Sequence, residues 1–175
     1  MENASDLSRF LSKIRAIEAF RYLKEEELNA ILALSEVVVY EPQEKIITQG
    51  DVGEDFFGVI EGEVEISIQQ LNKPGVVLST LESGEIFGES AIFLKEERTA
   101  TVTSVKQTVV IRIHRQNMLR FFQTNPGAGN KILMVIVLGL LTRLRNANQE
   151  LAFEKQPDID FDYVDSLVED FMKAI

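Results

Sequence analysis

Glu63-Val64-Glu65-Ile66-Ser67-Ile68 alternates polar with β-branched side chains, so Val64, Ile66 and Ile68 share one face and the polar residues the other. This is the pattern of a strand with one face in a core and one in water. Downstream, Asn72-Lys73-Pro74-Gly75 sets proline and glycine where a type II turn needs them, reversing the chain into Val76-Val77-Leu78. Other β-branched clusters surround this hairpin: Val37-Val38-Val39, Ile46-Ile47-Thr48, and the runs 99–105 and 109–113. Gly50-Asp51-Val52-Gly53 reads as a turn between two of them. Short strands at regular spacing with glycine-containing turns predict a small antiparallel sandwich, jelly roll or barrel, not a parallel sheet.

Helical periodicity flanks the strands. Leu7, Phe10, Leu11 and Ile14 recur at helical spacing, and Leu28, Ile31 and Leu32 repeat the pattern after Lys24-Glu25-Glu26-Glu27. After Arg115 the period returns in Met118, Leu119, Phe121 and Phe122. An Asn125-Pro126-Gly127 break then precedes a long helix predicted over 129–151. Its first half is apolar all round and must be covered. The last stretch, 153–175, carries seven acidic side chains against two lysines, a net charge of −5. Val164, Leu167, Val168, Phe171 and Met172 give it the look of a short acidic amphipathic helix. The chain therefore divides into a domain over 1–152 and a C-terminal extension over 153–175.

Composition narrows the function classes. The 175 residues, 45% of them apolar, suffice for one substantial core. There is no cysteine, so disulfide and thiolate chemistry are excluded and a reducing, cytoplasmic setting is expected. Met1-Glu2-Asn3-Ala4-Ser5-Asp6 lacks the basic-then-apolar order of an export signal. The apolar run 132–141 is half of the ~20 residues a bilayer crossing needs, so no membrane association is expected. With 28 acidic and 18 basic residues the formal charge is −10, and no basic run offsets it, so direct binding to DNA is not expected. His114 is the only histidine and has no cysteine or second histidine to make a metal or nucleophilic site. A structural role follows for it, and no enzymatic activity is expected.

Two motifs carry a more specific reading. Phe87-Gly88-Glu89-Ser90-Ala91 is followed, at a fixed distance, by Arg98-Thr99-Ala100-Thr101-Val102. This pair resembles the phosphate-binding cassette of cyclic-nucleotide-binding domains, the sensor type found in catabolite activators and protein kinase regulatory subunits. Gln49-Gly50-Asp51, the stretch 58–64 and the stretch 81–86 also match the pattern of that family, so the resemblance covers roughly 10–151. It implies a mainly β fold with flanking helices: a β-roll, which is a jelly-roll-like antiparallel double sheet, with N-terminal helices and a long C-terminal lid helix.

The resemblance also implies a ligand, cyclic AMP or cyclic GMP, and no further cofactor. Arg98 is expected to hold the cyclic phosphate with charge-assisted hydrogen bonds, helped by main-chain amides at Ser90 and Ala91. Gly88 would let the backbone approach the ligand, and Glu89 would accept from the ribose 2′-hydroxyl. Phe87, Thr99 and Ala100 complete the cassette, and Ile66 and Leu78 would form apolar walls for the base. Thr99 leaves the choice between the two bases open. Glu96 and Glu97 stand beside Arg98 and are expected to compete for its guanidinium.

The expected action is regulatory: the helix after Gly129 closes over the site, Arg143 or Arg145 reaches the base or holds the lid, and a partner protein is the effector. Pro126, Gly127 and Gly129 would form the hinge. The helix over 129–151 would also serve as a homodimer contact. The alternative is a degenerate, ligand-independent module for protein interaction or dimerisation, in which Glu89 and Arg98 simply pair.

Overall fold

The computed structural model describes residues 5–69 and 75–152. The amphipathic patterns near the start form α1 (Ser5–Ala16) and α2 (Glu25–Leu32). Eight strands follow: β1 (Glu36–Tyr40), β2 (Lys45–Ile47), β3 (Asp55–Glu61), β4 (Glu63–Ile68), β5 (Val76–Glu82), β6 (Ile86–Phe87), β7 (Thr101–Ser104) and β8 (Thr108–His114). A single helical turn, α3 (Ser90–Phe93), lies between β6 and β7, and α4 (Arg115–Thr124) and α5 (Pro126–Ala152) close the domain.

The strands form two antiparallel sheets, ordered β1-β8-β3-β6 and β2-β7-β4-β5. Strand one pairs with eight, two with seven, three with six and four with five, the signature of one long hairpin rolled on itself. The jelly-roll-like double sheet expected from the sequence is the architecture found. Rolling has a consequence for position. The β2–β3 connection and the β6–β7 connection are partners across the hairpin, so residues about forty-five apart in sequence lie side by side. Val52 bridges Glu97, the Gly50 amide donates to the Arg98 carbonyl at 2.9 Å, and the Arg98 amide donates to the Asp51 carbonyl at 2.8 Å. The expected cassette is pinned there.

Two apolar layers hold the roll. Phe57, Val59, Val64, Leu81, Phe87, Val102 and Val110 fill the space between the sheets, with Phe57 and Phe87 stacked at 4.9 Å. On the other face of the first sheet, Phe56, Ile60, Ile111 and Ile113 meet Ile14, Phe20, Leu28 and Ile31 of the N-terminal region and Phe121, Ile132 and Ile136 of α4 and α5. Burial on both faces explains why β3 and β8 read as nearly continuous apolar runs while β4 alternates.

The helical ends differ from the sequence reading. Only Asn125 separates α4 from α5, because Pro126 opens α5 at a position where its missing amide costs nothing. Gly127 and Gly129 therefore lie inside the first turn of α5 and are not a loop hinge, and the helix runs three residues earlier than 129–151 predicts. Near this start Lys131 donates to both carboxylate oxygens of Glu27, at 3.2 and 2.9 Å, tying α5 to α2. The 72–75 turn, apart from Gly75, and the 153–175 extension lie outside the described residues. His114 has the structural role expected of it. Its Nδ1 accepts from the Gln116 amide at 3.2 Å and so caps α4, while Nε2 lies 3.6 Å from Glu54.

Candidate functional site

Arg98 is the organising group. It is one of few buried polar residues among the described residues, with 9% exposure, and its position follows from the rolled topology. Its Nη2 donates to the main-chain carbonyl of Asp55 at 2.8 Å. Its Nη1 is buried and has no partner among the described residues. Burial lowers the stability of its charge, and the Asp55 and Glu89 carboxylates partly restore it. A buried guanidinium with a donor left over is an unfinished hydrogen-bond set, and a compact anion completes it.

Small residues make room for that anion. A Cβ at Gly53 would come within 2.7 Å of Arg98 Nε, so a side chain there would displace the guanidinium from its present place. Gly88, at φ +73°, sits beside Arg98 Nη1 and the Asp55 carbonyl. A cavity of about 40 Å³ opens here, lined on one side by Gly53, Arg98 and Thr99 and on the other by Ser90, Ala91 and Leu94. The Ala91 amide donates to the Gly88 carbonyl at 3.1 Å, which folds the α3 turn over the cavity.

The expected competition from Glu96 and Glu97 does not occur. Both carboxylates line the cavity rim and are exposed, and neither pairs with Arg98; the acids that act on its guanidinium are Asp55 and Glu89. Strand-like pairing of Glu97 with Val52 puts the Glu97 and Arg98 side chains on opposite sides, and Glu96 is exposed in the loop before it.

Glu89 faces α5. Its Oε1 accepts from Arg143 Nη1 at 2.7 Å, with the Glu89 side chain largely buried, and Arg143 Nη2 donates to the Ile86 carbonyl at 2.9 Å. Of the two arginines named from the sequence, Arg143 is the one that contacts Glu89. A second, larger cavity of about 230 Å³ lies at the α4 end of the first sheet, between Leu34, Asp55, His114 and Asn117. Its arginine, Arg112, is already paired with Glu36, so it lacks an open cation.

The family whose sequence model matches this chain is described as the cyclic nucleotide-binding domain, and the match covers residues 37–125. The chain belongs to that family. A cyclic AMP receptor protein from Thermus thermophilus is 28% identical over 132 residues, covering 75% of this chain and 59% of the relative. A cAMP-dependent protein kinase regulatory subunit from Dictyostelium discoideum is 30% identical over 114 residues, covering 63% of this chain and 34% of the relative. The chain thus spans only part of the length of both. Among solved structures, the Thermus thermophilus catabolite activator protein aligns with a TM-score of 0.68 at 27% identity, over 78% of this chain and 62% of that one. A cyclic nucleotide-binding domain from Methylobacillus flagellatus aligns with a TM-score of 0.74 at 19% identity, over 89% and 88%, and supports the β-roll fold.

Within this cyclic nucleotide-binding domain the predicted residues divide into three groups. Ser90, Ala91, Arg98 and Thr99 line the cavity, Gly88 lies beside Arg98 Nη1, and Glu89 is turned to Arg143 of α5. Phe87 is buried against Phe57 and Ala100 is half-buried in the bend before β7, so both support the cavity from behind. Ile66 packs against the inner apolar layer, whereas Leu78 is 56% exposed on the edge strand β5; neither lines the cavity. Sequence reasoning missed Gly53 and Asp55. Gly53 stood in a recognised turn, but its contact is across the roll. Asp55 serves through its carbonyl, which no side-chain signal reports.

Proposed function

We propose that this domain is a cyclic-nucleotide sensor. Arg98 and the turn at Ser90 and Ala91 take the cyclic phosphate, Glu89 takes the ribose 2′-hydroxyl, and Ile66 and Leu78 flank the base. The observation that carries the reading is the buried Nη1 of Arg98, without a partner among the described residues, in a side chain that also lines a small cavity with Gly53, Ser90, Ala91 and Thr99. A degenerate member would be expected to satisfy that donor internally, for instance with Glu89, whose carboxylate is instead paired with Arg143. The lid is α5, the output is its docking on the cassette through Arg143, and the effector is a protein partner.

Calorimetric titration of the full chain with cyclic AMP, cyclic GMP and their 2′-deoxy analogues tests this. We expect saturable binding of at least one parent nucleotide. Loss of the 2′-hydroxyl removes a hydrogen bond to a carboxylate, which weakens binding about tenfold or more. Absence of heat with every compound would leave the ligand-independent module as the better reading.

A second observation concerns partners. Val137, Leu140, Leu141 and Leu144 recur at helical spacing on α5 and are exposed, between 41% and 58%. By length and composition α5 could also cross a membrane, but Ile132, Val135 and Ile136 are buried in the domain. The exposed stripe fits a second copy of this helix, paired along a common apolar seam. Light scattering should give the mass of a dimer, and Leu141→Lys should give that of a monomer. A wild-type monomer at high concentration would refute the pairing.

A further inference from the structure

One face of α5 is packed in the domain through Ile132 and Ile136, while the stripe of Val137, Leu140, Leu141 and Leu144 on another face keeps 41% to 58% of each residue exposed. A second copy of the helix is one cover for that stripe. A nearer one is the continuation of the same chain, since α5 runs to Ala152 and segment 153–175, outside the described residues, follows directly.

The apolar residues of that segment match the stripe. Val168, Phe171, Met172 and Ile175 are separated by the same steps as Val137, Leu140, Leu141 and Leu144. A fold of the chain centred on Gln156 sets Val137 against Ile175, Leu140 against Met172, Leu141 against Phe171 and Leu144 against Val168. All four exposed positions thus gain an apolar partner in one antiparallel register. Gln156 stands beside Pro157, which a helix interior does not accommodate, so the reversal falls where the sequence already breaks the helix. The linking stretch 153–160 reaches about 26 Å when extended, well beyond the roughly 8–10 Å between the axes of packed helices. Charge favours the same partner. Between 137 and 149 the helix carries Arg143 and Arg145 and no acid, whereas 153–175 has a net charge of −5.

We propose that segment 153–175 folds back along α5 as an antiparallel helix and covers the apolar stripe, so that a second copy must displace it before two α5 helices pair. The control of pairing rests on the dimer reading, and the fold-back stands without it. A segment on a short tether is held at about millimolar effective concentration, ahead of any second copy in dilute solution. Both copies must uncover their stripes, so a cover closed about two-thirds of the time weakens pairing about tenfold.

The chain has no cysteine, so an introduced pair of thiols reports on itself alone. In dilute full-length protein, Leu141→Cys with Phe171→Cys should be joined by a short bismaleimide within one chain. Val39→Cys with Phe171→Cys, which uses an exposed position of β1, should not. Sedimentation equilibrium supplies the second reading: Val168→Asp with Phe171→Asp should lower the dimer dissociation constant of the full chain about tenfold. Cross-links only between chains, equal cross-linking of the Val39 pair, or a dimer affinity unchanged by the two aspartates overturns the proposal. Chains that stay monomeric in both wild type and the aspartate variant overturn the dimer reading, and the cross-links then decide the fold-back by themselves.

Discussion

Arg98→Ala will weaken cyclic nucleotide binding about ten- to a hundredfold while leaving the melting temperature almost unchanged. A charge-assisted hydrogen bond to a phosphate contributes about 1.5–3 kcal/mol, which converts to that range. The stability side is different. In the folded domain the guanidinium makes one side-chain bond, to the Asp55 carbonyl, and leaves Nη1 buried without a partner. Removing it loses that bond but also ends the burial of an incompletely satisfied cation, and the two terms oppose each other. Arg98→Lys should recover only part of the affinity, since an ammonium cannot reproduce the planar fork. Calorimetry for binding and a thermal melt for stability separate the two effects. Undiminished affinity in Arg98→Ala would remove the phosphate role, and a large drop in melting temperature would mark Arg98 as a structural residue.

The sequence made the fold legible where periodicity is local. The alternation of Glu63-Val64-Glu65-Ile66-Ser67-Ile68 and the spacing of Leu28, Ile31 and Leu32 follow from which face each element buries, and both elements appear as expected. The cassette was legible because it is a contiguous motif: Gly88 and Arg98 are indeed brought together. What failed depended on distant pairing. Glu96 and Glu97 seemed to crowd Arg98 because they adjoin it in sequence. Pairing of Glu97 with Val52 puts the Glu97 side chain opposite that of Arg98, and Glu96 is exposed, so for Glu97 adjacency in the chain became separation in space. The hinge was misplaced for a local reason, since proline and glycine after Asn125 signal a break yet are also tolerated in a first helical turn.

Gly62→Ala will destabilise the domain by about 3 kcal/mol, about 6–12 °C in melting temperature. Gly62 links β3 of the first sheet to β4 of the second, and its φ of +100° lies where side chains are strained. A Cβ there would also come within 2.7 Å of the Thr108 Cα and 2.8 Å of the Gln107 carbonyl oxygen. Those are main-chain atoms of the β7–β8 corner, where the chain crosses back between the same two sheets, so they cannot move aside cheaply. The corners are stitched together: Thr108 Oγ1 donates to the Glu63 carbonyl at 3.0 Å and accepts from the Glu63 amide at 3.2 Å, and the Val105 amide donates to the Glu63 carbonyl at 2.9 Å. Alanine must either distort its own backbone or prise these corners apart, and both routes loosen the contact between the sheets. Gly127→Ala is the matched control. That glycine lies in the first turn of α5 with no atom within 4 Å of a new methyl group, so alanine there should stabilise by about 0.4–1 kcal/mol. Opposite signs for the two substitutions in one set of thermal melts are the expected result. A Gly62→Ala protein that melts with the wild type would mean that the sheet corner yields freely and does not hold the roll together.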